Sequence, residues 1–246
     1  MRTTKTLIAA VAATCMGTGA MAASVSIDTI NAAWQNPTPA GVAIDNSGDT
    51  VSARWGNGNN PSGYDFTPRS PLGFTLAENT PTVLGTFTHL NFPITGTTLE
   101  SIQLNFSFGG SVLEDGEGNT FPQGILTASF GAIFDFIHEE TTNTAPCGLL
   151  QQSGVPCDDI VTVSAQGGAD EDILVDNTIF TFTLLGFSND NGATFSETFV
   201  TTENGANSSD LYFDYKVSVI PLPAAGWLLL AGLGALGVAG RRRKSA

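Results

Sequence analysis

The chain has 246 residues, with 23 acidic residues against nine basic ones. A surface so acidic repels phosphate backbones and anionic lipid, which excludes nucleic-acid binding. Its three cysteines include no CxxC pair, which argues against a cysteine-based zinc site.

Residues 1–22 read as a secretory signal peptide. Arg2 and Lys5 precede the apolar run Leu7–Ala13, and Ala20-Met21-Ala22 supplies a small-x-small cleavage site before Ala23. Cys15 falls inside the discarded peptide. This segment makes the Sec export machinery an expected partner. With the signal and the C-terminal tail set aside, only Arg54, Arg69 and Lys216 face all 23 acidic residues, a net charge of −20.

Residues 23–219 carry period-two rather than helical patterning, which predicts one all-β domain of antiparallel strands. Ile102, Leu104, Phe106 and Phe108 share one face of a strand, as do Phe180, Phe182 and Leu184. Leu211, Phe213, Tyr215, Val217 and Val219 form a last strand. A run from Leu126 to Phe136 alternates likewise, with a break expected near Gly131. Val42–Ile44, Val51–Trp55, Val83–Phe92, Ile160–Ser164 and Phe195–Val200 complete about nine strands. The expected architecture is a β-sandwich, with the jelly-roll as one form of it. Gly56–Pro71, rich in Gly, Asn, Pro and Ser, reads as a long surface loop.

Several constellations inside the domain could carry chemistry. His89 and Asn91 lie two apart, so on a strand they share a face with Phe87. Such a pair is either a buried polar pair pinning a neighbouring loop or, less often, part of a metal or catalytic site. His138-Glu139-Glu140 lacks the second His of a zincin helix and lies in a strand context. The acidic runs Glu114–Asn119, Asp170–Asp172 and Asn189–Gly192 offer loop oxygens of the kind calcium takes, but most such runs are solvated turns, so no cofactor is expected and calcium is the one candidate. Trp34, Trp55, Tyr64 and Phe66 could form a sugar-stacking platform or core. Cys147 and Cys157 are expected to form one disulfide in an exported chain.

Residues 220–246 form a three-part tail. Pro221 and Pro223 cannot extend a strand. Ala224–Ala239 is uncharged, and a helix over that run would be about 24 Å long, short of a hydrocarbon core of about 30 Å, the expected transmembrane helix being 224–240. Arg241, Arg242, Arg243 and Lys244 (residues 241–244) end it and favour a cytoplasmic C-terminus.

This tail resembles the PEP-CTERM group of bacterial sorting signals, closest to its VPLPA variety, through Ile220-Pro221-Leu222-Pro223-Ala224, with Ile where Val is usual. The resemblance implies an inner-membrane precursor cut near the prolines by an exosortase-type membrane transpeptidase and delivered to the cell surface or extracellular matrix. An ordinary single-pass anchor is the alternative on composition alone. Within the domain, Thr88-His89-Leu90-Asn91 resembles the THxN motif, and Ile30 to Val219 is similar to the choice-of-anchor K domain. That likeness implies a surface-displayed module and supplies no catalytic residues. The expected function is a non-enzymatic structural or adhesive surface protein, as in a biofilm matrix. The alternative is a carbohydrate-binding module that contacts extracellular polysaccharide, assisted by calcium. A surface hydrolase would require an open pocket holding His89 or His138 beside two carboxylates.

Overall fold

The computed structural model describes residues 23–57, 60–114, 120, 127–148, 150–166, 170–175, 178–220 and 232. The expected signal peptide, residues 1–22, lies outside them. So does the expected helix 224–240, apart from Gly232, together with the basic residues 241–244. Among the described residues no helix is long and apolar enough to cross a membrane.

Among the described residues, thirteen strands form two antiparallel sheets facing one another as a β-sandwich. They are β1 (Ser24–Thr38), β2 (Ala43–Asp45), β3 (Val51–Trp55), β4 (Ser62–Pro68), β5 (Phe74–Leu76), β6 (Thr82–Asn91), β7 (Ser101–Glu114), β8 (Thr127–Glu139), β9 (Asp159–Ala165), β10 (Asp170–Val175), β11 (Thr178–Ser188), β12 (Thr198–Thr201) and β13 (Gly205–Val219). One sheet has the order β12-β9-β8-β7-β1-β5, and the other β10-β11-β13-β6-β4-β3-β2. Neighbours in space are often distant in sequence, because the chain crosses repeatedly between layers.

Alternation drives the burial. Ile102, Leu104, Phe106 and Phe108 of β7 point inward and meet Phe66, Phe134, Phe182 and Phe213 among others in one aromatic-rich core. Rings this large remove more apolar area per residue than aliphatic side chains do, and their edges and faces interlock across the two layers. A bulge in β11 between Leu184 and Gly186 lets the strand bend where Phe187 bridges to Ser196. Gly186 sits there at φ +104°, with the Ser196 carbonyl where a Cβ would stand, so only glycine fits without strain.

Three sequence expectations are corrected. The expected loop Gly56–Pro71 contains β4, which lies between β3 and β6 with Tyr64 and Phe66 fully buried. Its Ser62, Tyr64 and Phe66 alternate inward, a signal masked by the Gly- and Asn-rich residues just before it. No break occurs near Gly131, which pairs with Ser107 in an uninterrupted β8. Asp170–Asp172 opens edge strand β10 rather than a loop. Strand β1, which runs the length of the sandwich beside β7, was not among the expected strands, since Ser, Asp and Thr dilute its inward Val25 and Ile27.

Candidate functional site

β6 carries Phe87, His89 and Asn91 on its inward face, all fully buried. Asn91 Nδ2 donates to the Thr201 carbonyl at 3.1 Å, and His89 Nδ1 lies 2.8 Å from Thr201 Oγ1. Thr201 ends β12 in the opposite sheet, so the pair ties one layer to the other. Thr88 points outward and bonds Ser208 on β13 at 2.8 Å.

His138 extends the inward face of β8 beyond Phe134 and Phe136, and brings its ring within 5.1 Å of His89. Its Nδ1 is 2.7 Å from the Tyr64 hydroxyl, and its Nε2 is 3.4 Å from Glu140 Oε2 and 4.0 Å from Asp159 Oδ2. Asp159 opens β9 in phase with Val161 and Val163, so its carboxylate enters the interior. Asp159 Oδ1 accepts from the Thr141 amide at 2.8 Å and the Thr141 hydroxyl at 3.1 Å. Asp159 Oδ2 and His89 Nε2 have no hydrogen-bond partner among the described residues. One donor atom each from His89, His138 and Asp159 lie within 4.8 Å of one another, and Glu140, Asp159 and Glu203 form an overlapping group of the same size.

Electrostatics follow from burial. Desolvation, then the neighbouring His138, holds His89 well below the usual histidine range, so its ring is neutral near pH 7. Burial is also the largest influence on Asp159, whose carboxyl is pushed up to about 6, with Glu140 adding to the rise and the Thr141 amide opposing it. Tyr64 is raised well above its ordinary value by burial and by Asp159 and Glu140.

The remaining predicted residues fall elsewhere. Cys147 and Cys157 are joined in a disulfide, Cα–Cα 5.3 Å, beside this cluster. Their loop is cross-bonded by Asp158, which accepts from the Gln152 and Ser153 amides at 2.6 and 2.8 Å. Asp190 uses both carboxylate oxygens on its own turn, and 115–119 of the Glu114–Asn119 run lie outside the described residues. The proposed sugar platform is overturned. Trp34, Trp55 and Tyr64 are 2%, 4% and 0% exposed, with Tyr64 tilted against Trp34 and edge to face with Trp55 between the sheets. Stacking on a sugar needs exposed ring faces, so these rings give that reading no basis. A cavity of about 200 Å³ lies elsewhere in the sandwich, bounded by Leu84, Phe130, Phe134, Phe182 and Phe213 with Gln166 and Thr183. None of its lining residues is titratable.

Sequence reasoning passed over Asp159, Thr201 and Glu203. The phase of β9 could have pointed Asp159 inward, and that of β12 could have pointed Thr201 inward after Phe199.

The other functional element begins where β13 ends. Val219 still pairs with Thr178, and Ile220 follows directly. Residues 219–244 match the PEP-CTERM protein-sorting motif. Ile220 and the stretch Pro221-Leu222-Pro223-Ala224 fall within that match, although residues 221–224 lie outside the described ones. The PEP-CTERM motif implies an exported protein sorted at its C-terminus, with exosortase-type processing. The motif model covers the tail alone, and no curated protein matches the chain.

Proposed function

We propose that this chain is a non-enzymatic structural or adhesive module, displayed on the cell surface or in the extracellular matrix after its tail has been removed. The observation that carries the reading is the abutment of motif and domain: the sorting match begins at residue 219, the last residue of β13. No spacer separates them, so the folded module travels as the direct cargo of its tail. Residues 1–22 act as a Sec signal peptide, and the inner-membrane precursor is a transient state. A net charge of −20 on the exported part suits a hydrated matrix component that stays soluble. Burial of both histidines among aromatic rings favours this reading over a hydrolase, which needs an open cleft.

Intact-mass analysis of the protein recovered from the surface tests it. The expected mass begins at Ala23 and lacks Arg241 to Lys244, and this form disappears when the membrane transpeptidase is deleted. Recovery of the chain solely from the inner membrane, still carrying the basic tail, would falsify surface delivery.

A further inference from the structure

We propose that His89, His138 and Asp159 form a zinc site that staples the two sheets together, completed from the rim by Glu140 or Glu203. The inference goes beyond the sorting reading and is independent of it.

The three core donors come from different strands and both layers. His89 lies on β6 of the seven-stranded sheet, whereas His138 and Asp159 lie on β8 and β9 of the six-stranded sheet. Buried polar atoms are ordinarily bonded, yet His89 Nε2 and Asp159 Oδ2 have no hydrogen-bond partner among the described residues, although both residues are 0% exposed. The tautomer of His89 follows from its surroundings. Thr201 Oγ1 donates to the Asp159 main-chain carbonyl at 3.3 Å. With its proton committed there, Thr201 accepts from His89 Nδ1–H. That leaves a bare lone pair on Nε2, as a histidine ligand requires, with its other nitrogen oriented by a neighbour. At His138, Tyr64 occupies Nδ1 and Nε2 faces the carboxylates, so ligation there places the ring proton on Nδ1, donated to the Tyr64 oxygen.

Charge points the same way. The group contains three carboxylates, one of them fully buried. The domain's three Lys and Arg residues are used elsewhere or face outward: Arg54 pairs with Asp65, Arg69 lies over Phe74, and Lys216 is exposed. A divalent cation would neutralise this excess at the point where burial makes it costly.

The donor set selects the ion. Calcium and magnesium take oxygen ligands, and two imidazoles exclude either as the preferred occupant. Two histidine nitrogens and one or two carboxylates match zinc. Tetrahedral zinc holds its donors roughly 3.3 Å apart, so a cluster now spanning 4.0 Å between His138 Nε2 and Asp159 Oδ2 contracts on binding.

The test uses the purified protein, stripped with EDTA and titrated with zinc sulfate by calorimetry, with elemental analysis for stoichiometry. One zinc per chain is expected, with a higher thermal midpoint that calcium chloride does not reproduce. His89→Gln and Asp159→Asn should abolish stoichiometric binding. Thr201→Val, which removes the group that orients His89, should weaken it about 10–100-fold. Glu140→Gln and Glu203→Gln, at the half-buried rim, keep the test open should a core variant fail to fold, and the double change should weaken zinc at least tenfold. Absence of stoichiometric zinc in the wild-type protein overturns the proposal. So does zinc retained undiminished by folded variants, or protection by calcium alone.

Discussion

Asp190 holds its turn with both carboxylate oxygens. Oδ2 accepts from the Thr194 hydroxyl at 2.6 Å, and Oδ1 accepts from the Thr194 amide, the Ser188 hydroxyl and the Ala193 amide. Thr194 contributes most to lowering its pKa from 3.8 to about 2. A folded-state pKa below the unfolded one gives stability that is complete above pH 3.8 and is lost as pH falls through 2. Hydrogen-exchange protection of residues 188–196, taken relative to the intrinsic rate at each pH, should therefore fall between about pH 4 and pH 2, and Asp190→Asn should lose that acid step while already being less protected at pH 7. Tyr215 offers a second test at this scale. Its hydroxyl lies 2.7 Å from the Ala23 carbonyl and 3.3 Å from that of Leu76, joining β13 to the start of the opposite sheet. Tyr215→Phe leaves these buried carbonyls without that donor and should cost about 1–3 kcal/mol in urea unfolding. A loss below a few tenths would mean that water replaces the phenol.

Among the elements, β4 shows why sequence patterning is read unevenly. Tyr64 and Phe66 alternate inward as strongly as any pair in β7, but Gly, Asn and Pro on the approach outweigh so short a signal. The glycines near it serve close approach. A Cβ on Gly85 of β6 would stand 2.5 Å from the Thr67 carbonyl and 2.7 Å from the Phe66 ring. Gly85→Ala should destabilise the domain by about 1–3 kcal/mol. By contrast, Gly131→Ala in β8 meets nothing nearer than the Phe106 carbonyl at 4.0 Å and should be neutral or slightly stabilising. Matched thermal melts of the two variants check the contrast. The Cys147–Cys157 loop is the remaining element with a separable contribution. Its sequence separation of 10 corresponds to about 3 kcal/mol in the chain-entropy model. Reduction, or the double Ser variant, should lower stability by about that amount without changing the circular dichroism spectrum.

Across the whole molecule, entry and exit lie at one end. Tyr215 near the end of β13 is bonded to Ala23, so the expected mature N-terminus and the sorting tail share that end. β13 rises about 45 Å from Gly205 to Val219. The histidine–carboxylate cluster and the disulfide loop lie toward its Gly205 end, where Gly205 pairs with Asn91. This cluster therefore lies toward the end of β13 away from the sorting motif. Self-repulsion within residues 23–219, whose net charge is −20, is a second molecular property. Raising ionic strength from about 0.01 to about 1 M shortens the screening length from about 30 to about 3 Å. The thermal midpoint should rise over that range, and a flat profile would show that the acidic groups are too dispersed to oppose folding.

What could be decided from the chain alone was whatever is local or additive. Two-residue alternation predicts β-structure because successive side chains face opposite ways. A proline motif, an apolar run and four cations form a contiguous address that needs no fold to be read, and two nearby cysteines in an exported chain find each other. Whether a residue is exposed was not local. Trp34 and Trp55 look alike in sequence, and either could stack on a sugar until opposing sheets close over both. The juxtaposition of His89, His138, Asp159 and Glu203 belonged to tertiary structure alone, since these residues come from separate strands and loops of both sheets. Only the packing of one sheet on the other brings them together, and burial there makes the unpartnered atoms of His89 and Asp159 costly.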